Sequence, residues 1–169
     1  DDHRNVYHQG HRRITKFTPE GKALWRFYTG GTDVGVLSGD SLYASDAAGN
    51  FLRLELETGR LVWLTSVSPP GYPENSAIGE RLAHPRGGIG GGIGALGIHS
   101  GVVIAKAGQS MGPLMQGGGT HIVAVNATNG ELLWKYHADQ QLWNFEPFFT
   151  DDGSFVWQDQ VGGVYRMGL

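Results

Sequence analysis

The chain of 169 residues carries 28 glycines, five tryptophans and no cysteine, at a formal net charge of −3. The missing cysteines exclude disulfides, thiolate metal sites and cysteine nucleophiles. Thinly spread Lys and Arg lack the concentrated positive charge that displaces counterions from a phosphate backbone, so nucleic acid is excluded as an expected partner.

In chain order, the opening Asp1-Asp2-His3-Arg4 is neither a signal peptide nor a starting Met, and it reads as a processed or partial chain. Asn5–His8 is predicted as a strand. Arg13 to Trp25 then begins with an alternating strand, turns at Gly21 and ends on Trp25 four residues later. Strands follow at 33–38 and 41–46, joined at Gly39-Asp40, and a second turn runs over Ala47-Ala48-Gly49-Asn50. Phe51 to Trp63 repeats the first pattern with its turn at Gly59, and Ile122 to Trp134 repeats it again with its turn at Gly130. Between these two copies, only 94–99 and 102–106 read as strands. After the third copy, 144–150, 154–159 and 164–167 read as three more, making fourteen in all.

Each copy has the same physical logic. Period-two alternation gives a strand with one packed face. The turn glycine takes positive φ without a Cβ penalty, and the Trp closes the second strand with apolar surface that needs a partner. One hairpin cannot bury that surface alone, so the units must stack. Trp25 and Trp63 lie 38 residues apart, and four strands in roughly 40 residues is the spacing of a β-propeller blade.

Ala48-Gly49-Asn50-Phe51-Leu52-Arg53-Leu54-Glu55-Leu56-Glu57-Thr58-Gly59-Arg60-Leu61-Val62-Trp63 resembles the quinoprotein (PQQ-like) repeat. That repeat runs from a glycine turn through a strand ending in Asp to Thr-Gly, with Trp four residues on. Glu55 and Asn126 stand where the family prefers Asp, Asn129 stands where it prefers Thr, and Thr18-Pro19-Glu20-Gly21 is a shortened loop. The resemblance implies an all-β fold, a partial β-propeller of four-stranded antiparallel quinoprotein-type blades. The expected division is a blade 1 remnant over 1–29, blade 2 over 30–67, blade 3 with insertions over 68–138 and an incomplete blade 4 over 139–169. It also implies that Trp25, Trp63 and Trp134 dock between blades, with Gly21, Gly59 and Gly130 as the structural turns.

Strand polarity puts the B–C and D–A connections of a blade at one end. The two long connections of blade 3 are of these types: Ser68–Ile93, with Pro69-Pro70-Gly71-Tyr72-Pro73 and His84-Pro85-Arg86, and Gly108–Thr120, with Met111 and Met115. Long loops on a rigid scaffold commonly carry binding. Tyr72, Arg86, Met111 and Met115 are therefore the candidate partner-binding residues, as aromatic, Arg and Met side chains are enriched at interfaces.

Other motifs have plainer readings. Gly92–Gly97 satisfies G-x-G-x-x-G but leads into a strand, whereas phosphate binding needs a helix N-terminus. Gly88–Ala105 is uncharged and long enough to span a bilayer, yet it is too rich in glycine for a transmembrane helix. The seven histidines form no recognised metal motif, and no G-x-S-x-G elbow accompanies them. Asn126-Ala127-Thr128 is a sequon only in a secreted eukaryotic protein. Trp143-Asn144-Phe145-Glu146 enters the innermost strand of the last blade, facing either the channel or the neighbouring blade.

Three functional classes follow from the resemblance. The first is a non-catalytic scaffold or interaction subunit of a larger assembly, with other protein subunits as partners. The second is a fragment of a PQQ- and calcium-dependent alcohol or sugar dehydrogenase, and the third is a ligand-sensing domain of a receptor. The scaffold is preferred, with no catalytic or metal residues and no bound cofactor, because an open arc does not enclose a planar quinone. The resemblance also implies a secreted, periplasmic or organelle-lumenal setting.

Overall fold

A computed structural model describes residues 1–10, 13–29, 35–45, 50–66, 97–107, 121–140, 142, 145–159 and 161–169. Among these residues there are fourteen strands and no helix, arranged as four antiparallel sheets. The chain is an all-β partial propeller. Blade 1 holds β1 (Val6–Gln9), β2 (Arg13–Phe17) and β3 (Ala23–Tyr28). Blade 2 holds β4 (Val36–Ser38), β5 (Ser41–Ser45), β6 (Asn50–Glu55) and β7 (Leu61–Ser66). Blade 3 holds β8 (Gly97–His99), β9 (Val102–Ala107), β10 (His121–Asn126) and β11 (Leu132–His137). Blade 4 holds β12 (Phe148–Phe149), β13 (Ser154–Gln158) and β14 (Val164–Gly168).

Every sheet is a meander in chain order, because consecutive antiparallel strands need only short turns. The register makes the blades superposable. Tyr7 pairs with Lys16, Tyr43 with Arg53, Ile104 with Ala124 and Val156 with Arg166. Lys16, Arg53 and Ala124 in turn face Trp25, Trp63 and Trp134 on the outer strands. A shared bond closes the lower end of three blades: the N–H groups of Leu56, Ala127 and Leu169 donate to the A–B turn carbonyls of Asp40, Gly101 and Gly153.

The inner strands differ from the expectation. Of the strand expected over 144–150, the described residues form one only at Phe148–Phe149, since Pro147 has no N–H to give a ladder and Phe145 turns instead into the core. The one expected over 33–38 is described as a strand only over Val36–Ser38. The core is three clusters at the junctions between blades. One joins Ile14 to Leu42, Ala44, Leu52 and Leu54. The next joins Tyr43, Phe51 and Trp63 to Val103, Ala105, Val123 and Val125. The last joins Ile104, Ile122 and Ala124 to Phe145, Phe155 and Trp157.

Candidate functional site

The candidate site is built on blade 3, so its rigidity depends on the junctions on either side. Between blades 1 and 2, the Trp25 indole lies on Gly59, where an added Cβ would stand 2.6 Å from the ring. Gly59 has φ +70°, so both backbone and space require glycine. Trp25 Nε1 donates to Leu56 O at 3.0 Å, and Lys16 Nζ donates to the same oxygen at 2.9 Å. Between blades 2 and 3, Trp63 lies on Gly130 (φ +75°), where an added Cβ would again stand 2.6 Å from the indole. Ala127 O accepts from Trp63 Nε1 at 3.0 Å and from Tyr43 Oη at 3.3 Å, and Arg53 Nη1 donates to Thr128 O at 3.2 Å. Thr65 Oγ1 donates to Gly130 O. Trp63 is buried, whereas Trp25 and Trp134 are half-buried.

The junction between blades 3 and 4 is made differently. Trp134 stacks on Phe155 with centroids 6.2 Å apart, and Tyr136 tilts onto Trp157 at 6.2 Å. Trp157 stacks on Tyr165 at 4.3 Å and meets Phe145 at 6.5 Å. Ala124 stands where the other blades have Lys16 or Arg53. The buried Lys106 ammonium donates to Leu142 O at 2.8 Å. Among the described residues no acceptor meets the buried Trp157 Nε1, a desolvation cost the stacking must offset. Phe145 thus packs between blades, and Glu146 is exposed. The aromatic residues from Phe145 to Trp157 are the signal for this junction in the sequence.

The two long connections leave blade 3 at one end of its sheet. The first enters β8 at Gly97, and the second leaves β9 at Ala107 and enters β10 at His121, which pairs directly with Ala107. The His99–Val102 pair closes the opposite end. His121 and His137 meet edge-on at 4.9 Å at the loop end. Tyr72, Arg86, Met111 and Met115 lie outside the described residues, as do Trp143 and Asn144.

Electrostatic features sit on the turns. Hydrogen bonds from the Ser154 and Thr150 hydroxyls bring the Asp152 carboxyl down to about 2, with the Arg166 guanidinium a smaller influence. Burial works against ionisation of Asp159, but the Tyr165 hydroxyl and the Gly163 and Val161 N–H groups outweigh it and lower its pKa. The same contact with Asp159 raises that of Tyr165. These carboxylates serve turns, and among the described residues no three of His, Cys, Asp or Glu gather as a metal site. Among the described residues, no helix is long and apolar enough to cross a membrane.

The family model described as outer membrane protein assembly factor BamB matches residues 10–141. The chain belongs to this family. Among curated proteins no sequence matches it. Several solved structures share the BamB-family fold. A crystal structure of BamB from Moraxella catarrhalis is 18% identical, with TM-score 0.55 over 98% of this chain and 47% of that one. The computationally designed Ika4 protein is 16% identical, with TM-score 0.61 over 98% of this chain and 85% of that one. The quinohemoprotein alcohol dehydrogenase ADHIIG from Pseudomonas putida HK5 is 11% identical, with TM-score 0.58 over 97% and 31%. The chain spans less than half the length of the two natural structures.

Proposed function

We propose that this chain is a non-catalytic interaction scaffold, serving protein partners in an assembly devoted to outer membrane proteins. The family match over residues 10–141 is the observation that carries this reading. Two long connections rooted at one end of blade 3 support it, as does a blade core stiff enough to hold them. Tyr72, Arg86, Met111 and Met115 are the contact residues, and a net charge of −3 favours protein over nucleic acid. The chain works outside the cytoplasm and without PQQ or calcium.

The test is photo-crosslinking in the native cell envelope. A photoreactive residue at Tyr72 or Met115 is expected to capture outer-membrane assembly proteins, while one at Glu20, on the C–D turn of blade 1, captures none. Equal adducts from all three positions would remove the loops from the interface. Quinone absorbance retained by the purified chain, with calcium-dependent dye reduction, would replace the scaffold with an enzyme.

A further inference from the structure

The C–D turn of blade 3 differs chemically from its counterparts in blades 1 and 2. The residue before the turn glycine is Glu20 in blade 1, Thr58 in blade 2 and Asn129 in blade 3. Asn129-Gly130 is also the one Asn-Gly pair in the sequence. An asparagine followed by glycine is the pair most open to attack on its carboxamide by the next backbone nitrogen, because glycine has no Cβ to hinder ring closure. Asn129 is exposed to water, whereas Gly130 is buried under Trp63.

The junction between blades 2 and 3 ties down the groups that react. Gly130 N–H donates to Asn126 O at 2.8 Å, which engages the attacking nitrogen. Glu131 N–H donates to Asn129 Oδ1 at 2.9 Å, so the carboxamide is held as well. Gly130 O accepts from Thr65 Oγ1 of blade 2, and the Trp63 indole lies over the glycine, where an added Cβ would stand 2.6 Å from the ring. Closing a ring from Gly130 N to Asn129 Cγ breaks the bond to Asn126 and turns the peptide between the two residues. Gly130 must lift from the indole for this to happen.

We propose that Asn129 is a deamidation site whose rate is set by the seating of Trp63 on Gly130. The Gly130 nitrogen gives its proton to a solvent base and bonds to Asn129 Cγ, and the carboxamide nitrogen leaves as ammonia. Water then opens the succinimide at the side-chain carbonyl to give aspartate, or at the main-chain carbonyl to give isoaspartate. Isoaspartate lengthens the backbone by one methylene where Gly130 meets the indole, and a close-packed contact registers a change of that size. The seated junction therefore slows a modification whose product loosens the junction.

Peptide mapping by mass spectrometry of the full chain, aged at mildly alkaline pH, tests this. The folded chain should gain isoaspartate at Asn129 slowly, and the chain in urea more than about tenfold faster, since no opening is then needed. Thr65→Val removes the hydroxyl donor to Gly130 O, and Trp63→Ala removes the ring, so the rate should rise in that order. Trp25→Ala, at the other glycine seat, should leave the rate unchanged. Isoaspartate chains purified from the aged sample should unfold at lower urea than Asn129→Asp, which carries the charge without the methylene. A folded chain that gains no isoaspartate at Asn129, or gains it as fast as in urea, would overturn the proposal. Equal acceleration by Trp25→Ala and Trp63→Ala would overturn it too, as would equal unfolding midpoints for isoaspartate chains and Asn129→Asp.

Discussion

The junctions on the two sides of blade 3 hold it in place by different means. On the blade 2 side, a ring sits on a glycine turn and two carbonyls collect donors from Trp63, Tyr43 and Arg53. On the blade 4 side, Trp134 and Phe149 meet Phe155 while Tyr136, Phe145 and Tyr165 meet Trp157, and an alanine stands in the cation's place. The first mode is directional, since each donor has a named oxygen and each glycine admits no side chain. The second rests chiefly on contact area beside the Lys106–Leu142 hydrogen bond, and among the described residues no acceptor meets its buried Trp157 N–H. Hydrogen bonds fix register, whereas stacking supplies contact with looser geometry. A blade clamped directionally on one side is a suitable base for loops that must present residues in fixed places.

The largest effect should come from removing the ring that both defines and fills the directional junction. Trp63→Ala is expected to cost about 3–5 kcal/mol in urea unfolding, the range for large buried aromatics. Trp25→Ala and Trp134→Ala should cost less, because both side chains are half-buried. A ranking with Trp134 first would make the aromatic junction the stronger one.

A smaller effect isolates the cation. Arg53→Met keeps the aliphatic stem and removes the donors to Ser41 and Thr128. It should cost about 1.5–3 kcal/mol in the same assay, as for hydrogen bonds to charged groups. Arg166→Met removes an otherwise matching side chain whose partners, Ser154 and Asp152, belong to its own blade. Its loss should be less than half as large. Equal losses would mean that Arg53 acts within blade 2 and not across the junction.

Much of this fold was legible in the sequence because its signals are local. Gly21, Gly59 and Gly130 need positive φ, and a Trp four residues on closes the hairpin, so three short windows reveal the repeat. The carbonyl clusters were not legible, since Leu56 and Ala127 accept through backbone atoms that carry no residue signature. At the aromatic junction, Trp134 and the packing of Phe145 against the neighbouring blade were legible, whereas the convergence of Phe155 and Trp157 was not, because these rings meet through packing and share no periodic window. The inner strand of blade 4 was drawn too long, as apolar residues on both sides of Pro147 concealed the end of the ladder. For the candidate site, strand polarity sufficed to put both long connections at one end of blade 3, whereas Tyr72 and Met115 lie outside the described residues.

The central claim is that a tryptophan seated on a glycine turn joins one blade to the next, and paired glycine substitutions test it most directly. Gly21, Gly59 and Gly130 all have φ between +70° and +84°, but only Gly59 and Gly130 carry a tryptophan. Gly21→Ala should therefore cost only the left-handed backbone penalty, about 1–2 kcal/mol. Gly130→Ala should cost that and a further overpacking term of about 1–3 kcal/mol, read as the difference in urea unfolding free energy. Equal losses at the two positions would contradict the account, because the indole of Trp63 would then not be pressed against that turn.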